Sequence, residues 1–201
     1  MRIPALVRCA SVALVACAAA SCGDVVRSSR SPVMLVVNSL TGGTGSTVSV
    51  ISDVVRNVTS PAPCTAALPC PTVFNDMATA SLAVVMKDVT VAPTTNNSVT
   101  ITRYRVEYRR ADGRNQPGAE VPFPFDGAVT ATISPGSPGA ISFELVRHVA
   151  KGESPLVELV SNFNVISTLT TVTFFGTDQV GNDVSAAGTL QVEFGNFGDT
   201  Q

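Results

Sequence analysis

The chain has no tryptophan, one histidine and few charges, with only 14% of its 201 residues Asp, Glu, Lys or Arg. Scarce charge, together with abundant Thr, Ser and Val, favours strands and leaves helices little support. Thirteen basic side chains against fifteen acidic ones give a mildly acidic net charge. General nucleic-acid binding is thereby excluded, since it needs a surplus of Lys and Arg to displace counterions. No Gly-x-Ser-x-Gly elbow occurs, so the nucleophile arrangement of many hydrolases is missing. The Gly-rich "TGGTGST" at 41–47 lacks both the lysine of a phosphate loop and the third glycine of a dinucleotide fingerprint, and it reads as a hairpin connection. Cys64 and Cys70 with the single, distant His148 do not make a tetrahedral His/Cys metal set. No cofactor is expected.

A long apolar run is also missing. The uncharged segment ahead of Cys22, residues 9–21, is thirteen residues long, whereas a bilayer span needs about 20. What stands there instead is Arg2 and Arg8 followed by an apolar segment and the small residues Ala19, Ala20 and Ser21 before Cys22. This layout belongs to a secretory signal, and the segment resembles a bacterial lipoprotein signal, in which the cysteine after a small-residue box is acylated. The resemblance implies a signal peptide over 1–21, a lipidated Cys22 carrying palmitate-type chains, and a flexible tether over 22–32. A second box ending at Cys17 fits the apolar preference better but leaves only eight residues after Arg8, and an ordinary cleaved signal is the third reading. Under the first, the membrane is a partner through the N-terminal lipid. The protein then belongs to the bacterial cell envelope, and Gly23 suits outer-membrane sorting.

Removing Cys9 and Cys17 with the signal, and committing Cys22 to lipid, leaves Cys64 and Cys70 in "SPAPCTAALPCP". An even pair in an oxidising compartment is expected to form a disulfide, with two free thiols as the alternative. Removing Arg2 and Arg8 brings the net charge near minus four.

Beyond the tether, apolar residues recur at intervals of two. Strands are expected at 33–37 and 47–55, paired with each other across the Gly-rich turn, and at 80–93. Between them, 56–79 is a Pro/Cys-rich insertion. In "NSVTITRYRVEYRRADGRN", Thr102, Tyr104, Val106 and Tyr108 alternate with Arg103, Arg105, Glu107 and Arg109, as a half-buried strand requires. The prolines of "VPFPF" at 121–125 confine that segment to an edge or loop. Further strands are expected at 129–133, 141–149, 157–160, 169–175 and 189–194, with a short helix over 150–162 as an alternative for part of that range.

The segment "TTVTFFGTDQVGNDVSAAGTLQVEFG" resembles the closing hairpin of bacterial immunoglobulin-like domains, and "ITRYRVEYRR" resembles the third strand of fibronectin type III domains. The resemblance implies an all-β fold: one elaborated immunoglobulin-like sandwich over 33–197. The core tryptophan and intersheet disulfide of antibody domains are absent.

Three constellations could carry chemistry. Asp178, Asn182 and Asp183 offer oxygen ligands for calcium, but Val180 occupies a ligand position, and turn chemistry explains the same residues. Arg103, Arg105, Arg109, Arg110 and Arg114 suit an acidic glycan or lipid headgroup, against the reading of a solvated face paired with acids on a neighbouring strand. His148, at the exposed end of a strand, lacks a recognisable nucleophile and acid. The expectation is a non-enzymatic envelope module binding another envelope protein or a glycan. A glycan- or calcium-binding module is the alternative, and a hydrolase is the third.

Overall fold

The computed structural model describes residues 30–43, 45 and 49–197. The expected signal peptide, with Cys9 and Cys17, and Cys22 and most of the expected tether lie outside these residues. Period-two burial runs through the long strands and sorts their side chains into an inner and an outer face. Ten strands result: β1 (Val33–Gly42), β2 (Ser49–Asp53), β3 (Arg56–Val58), β4 (Cys70–Thr72), β5 (Asp76–Met86), β6 (Val99–Arg109), β7 (Phe125–Ile133), β8 (Gly139–Val146), β9 (Ile166–Asp178) and β10 (Asp183–Gly195). The fold is all-β.

A three-stranded sheet, β1-β5-β8, lies against a five-stranded sheet, β2-β10-β9-β6-β7, and β3 and β4 pair separately. Every pairing is antiparallel except β2 with β10. Inward side chains from both main sheets, among them Leu82, Val84, Phe143, Val106, Val172, Phe174 and Val192, merge into one core. The Phe143 and Phe174 rings meet edge-on across the gap, with centroids 5.4 Å apart.

The only two tyrosines fasten the layers together. Both lie on the inner face of β6 and reach β8 in the opposite sheet: the Tyr108 hydroxyl donates to the Leu145 carbonyl at 2.6 Å, and the Tyr104 hydroxyl accepts from the Glu144 amide at 3.2 Å. Room for the Tyr104 ring comes from Gly127, where a Cβ would approach its Cζ to 2.2 Å.

Several expectations need correction. β1 and β2 do not form a hairpin. They sit in different sheets and run in the same direction, away from the Asp178 end, with β2 beginning opposite Gln191 in the far half of β10. Alternation reports that a strand has a buried face but not which strand it pairs with. The expected strand at 80–93 begins earlier, at Asp76, and ends at Met86, which shortens the irregular insertion to the residues before Asp76. Thr102 points outward rather than in, because a bulge between Ile101 and Arg103 places two consecutive exposed residues between buried Ile101 and buried Tyr104. Residues 157–160 form a 3-10 helix, Val157–Ser161, and the strand expected at 141–149 stops at Val146, after which α1 (His148–Lys151) begins.

Candidate functional site

The strands give the sandwich two poles. At one pole, the β9–β10 turn stands beside Ser31 and Pro32, just ahead of β1. Asp178, only 6% exposed, accepts from the Val180 amide at 3.0 Å, the Asn182 amide at 2.8 Å and the Asn182 side-chain amide at 2.9 Å. Burial alone would raise its pKa, but these bonds and one from the buried Ser31 hydroxyl hold it below the ordinary carboxylate range. Gly181 supplies the positive φ of +85° that the turn requires. The donors facing Asp178 are N–H and O–H groups, which suit a turn and a chain clamp rather than an oxygen cage for calcium. Among the described residues no group of three or more His, Cys, Asp or Glu is placed to hold a metal. Ser31 is buried, and the Pro32 carbonyl accepts from the Lys87 amide at 2.9 Å, so the last part of the expected tether is packed onto this pole.

The arginines separate: Arg103 and Arg105 lie on the outer face of β6, whereas Arg110 and Arg114 lie in the loop that follows it. Arg103 and Arg105 grip the two carboxylate oxygens of Asp126, on neighbouring β7, at 2.8 and 2.7 Å, and Arg105 also meets Glu107 at 3.2 Å. The Arg103 guanidinium additionally lies 3.9 Å from the Phe175 ring centroid. Two cations thus face two carboxylates, and the Arg103 hydrogen bond leads in holding Asp126 below its usual pKa. Arg110 and Arg114 share Asp112, at 2.6 and 2.8 Å, and hold its carboxyl well below the ordinary range. Arg109 is exposed. The structure does not bring the five arginines to one site.

The opposite pole gathers the residues that sequence reasoning missed. Lys151, at the end of α1, has a side chain only 1% exposed; its ammonium donates to the Asp53 carbonyl at 2.8 Å and pairs with Asp76 Oδ2 at 2.9 Å. The buried Ser52 hydroxyl donates to the same carboxylate oxygen. Asn75 completes the hub: its Oδ1 accepts from the His148 amide at 2.7 Å and faces His148 Nδ1 at 2.8 Å, while its amide donates to Glu144 at 2.6 Å. His148 therefore starts α1 rather than ending a strand, and its ring is engaged by an amide rather than by a nucleophile. Nothing local marks these residues, because they lie far apart in the chain and become neighbours only when β2, β5 and α1 converge.

The same pole carries the exposed aromatic side chains. Phe74, Phe123 and Phe163, the exposed phenylalanines among the described residues, all lie there, and Phe163 is 96% exposed. The Cys64–Cys70 disulfide forms, within the excursion that leaves β2 and returns to β5. A groove of about 460 Å³ at this pole is lined by Arg110, Arg114, Glu120, Glu158, Asn162 and Asn164, a set balanced in charge. A second, of about 430 Å³, runs past Ile51 and Met77. No helix among the described residues is long and apolar enough to cross a membrane.

No protein-family model matches the chain, and comparison with curated proteins and with solved structures finds no match.

Proposed function

We propose that this chain is a lipid-anchored protein of the bacterial cell envelope, held at the outer membrane by acylated Cys22, whose sandwich binds another envelope component and carries out no chemistry of its own. The observation that supports this reading is polarity. The chain joins the fold at the Asp178 pole through Ser31 and Pro32, whereas the exposed phenylalanines and the disulfide excursion sit at the other. A tethered module that recognises a partner needs this separation, with variable loops held by rigid sheets away from the anchor. The strand order, in which β1 belongs to one sheet and β2 joins the other parallel to the last strand, supports an immunoglobulin-like arrangement. Function still resides in the loops rather than in the fold.

The test is mass spectrometry of the mature N-terminus, with membrane fractionation of the Cys22→Ser variant. An acylated Cys22 and release of the variant from membranes are expected. An unmodified first residue anywhere other than Cys22 or Cys17 would overturn the anchor. The glycan alternative is separated by substituting Arg103, Arg105 and Arg109 together with Ala. Because Arg103 and Arg105 are already neutralised by Asp126 and Glu107, partner binding is expected to persist. Its loss would transfer the function to the arginine face.

A further inference from the structure

Residues 57–75 contain no charged side chain, and they fold as a finger rooted at the tether-distal pole. β3 and β4 make its stem, the Cys64–Cys70 disulfide closes it, and reciprocal backbone bonds between Thr65 and Leu68, at 3.0 and 3.1 Å, turn the chain at the tip. Leu68 is 72% exposed at that tip, and Ala66, Ala67, Pro61, Pro63 and Pro69 around it are exposed as well. A loop this long inside a compact domain is uncommon unless it has a role. Here a sheet, a staple and a turn order it in advance, so little conformational entropy remains to be lost on binding.

Building on the anchored-module reading, we propose that this finger inserts into an apolar cleft lined by aromatic rings on a protein partner in the envelope. Three observations select that occupant. The exposed prolines present flat, stiff rings with no rotamer freedom to lose when an aromatic-lined surface covers them. The anchoring membrane is the wrong surface: the tether joins at the other end of β5, roughly 33 Å away at about 3.3 Å per residue. The tip also carries none of the aromatic or basic residues by which interfacial segments hold a bilayer. A second copy is a poor match, since each groove described at this pole carries charged side chains: Arg110 and Glu120 in one, Asp76 beside Ile51 and Met77 in another, and Glu107 and Arg109 in a third, where the Tyr108 ring is only 5% exposed.

The test places a photo-crosslinking residue in the full chain, in its own cell envelope, as Leu68→p-benzoylphenylalanine. The control is the same replacement at Val89, which is 92% exposed at the tether pole. Position 68 is expected to give one discrete protein adduct whose crosslinked partner peptide contains Phe, Tyr or Trp, and position 89 is expected not to give it. Adding Ala67→Asp, which forces a charge into the cleft, should reduce the adduct about ten-fold or more. The Cys64→Ser/Cys70→Ser pair should reduce it too, by releasing the preordered shape. The proposal is overturned by no adduct, by the same adduct from position 89, by an adduct of twice the chain's mass, by lipid adducts alone, or by a polar partner peptide. The mature N-terminal mass, measured on the same sample, reports on the anchor independently of the crosslink.

Discussion

Replacing Lys151 with methionine keeps most of the aliphatic stem and removes one charge from a place where water scarcely reaches. In the native fold the ammonium meets Asp76 at 2.9 Å and the Asp53 carbonyl at 2.8 Å, with 1% of the side chain exposed. In the variant the carbonyl loses this donor, and Asp76 is left with the Ser52 hydroxyl. Breaking a buried pair from one side costs about 3–5 kcal/mol when both charges are fully enclosed. Asp76 keeps 20% of its side chain in water, so solvent offsets part of that penalty and about 2–3 kcal/mol is the expected loss. For a domain of this size each kcal/mol lowers Tm by about 2–4 °C, so the drop should be roughly 4–12 °C. Thermal and urea unfolding of the protein, followed by far-ultraviolet circular dichroism, measure the Tm drop and the free-energy loss. The double variant Lys151→Met/Asp76→Asn should lose less than the sum of the single variants, because the second change removes the stranded charge. A loss below about 0.5 kcal/mol, or strict additivity, would refute the claim that this pair holds α1 to β2 and β5.

Two further outcomes test other parts of the fold. Because hydrogen bonds lower the folded pKa of Asp178, the stability it contributes is complete above its unfolded value, about 3.9, and is lost as pH falls through the lower folded value. Asp178→Asn should therefore flatten the acid limb of a urea-midpoint profile below about pH 4; an unchanged slope there would contradict the clamp. Tyr108→Phe should cost about 1–2 kcal/mol in the same unfolding assay by removing the buried bond to the Leu145 carbonyl, and a neutral result would show that the two sheets do not depend on it.

The most readable parts of the chain were those whose signals are local. The turn at 178–183 was legible because Asp178, Gly181 and Asn182 each satisfy a requirement set within a few residues. The alternation from Tyr104 to Arg109 was likewise read correctly, and the pairing of Arg103 and Arg105 with Asp126 is the neighbour-strand arrangement weighed for them. The bulge at Thr102 was hidden, since a single inserted residue leaves the composition of a strand unchanged. The helical turn at 157–161 was ambiguous for a related reason, because a short apolar run suits either a strand or a helix until its neighbours are known.

Composition, alternation and turn chemistry are properties of consecutive residues, so the sequence by itself determined the all-β class, most strand positions, the β9–β10 turn and the pairing of Cys64 with Cys70. Strand partnership and charge burial depend on residues far apart in the chain. Only the tertiary structure could decide that β1 and β2 divide between two sheets, that Lys151 meets Asp76, and that Ser31 and Pro32 lie at the opposite pole from the Cys64–Cys70 excursion. The energy that selects those arrangements comes from closing one core between two sheets, and no local stretch of the chain contains it.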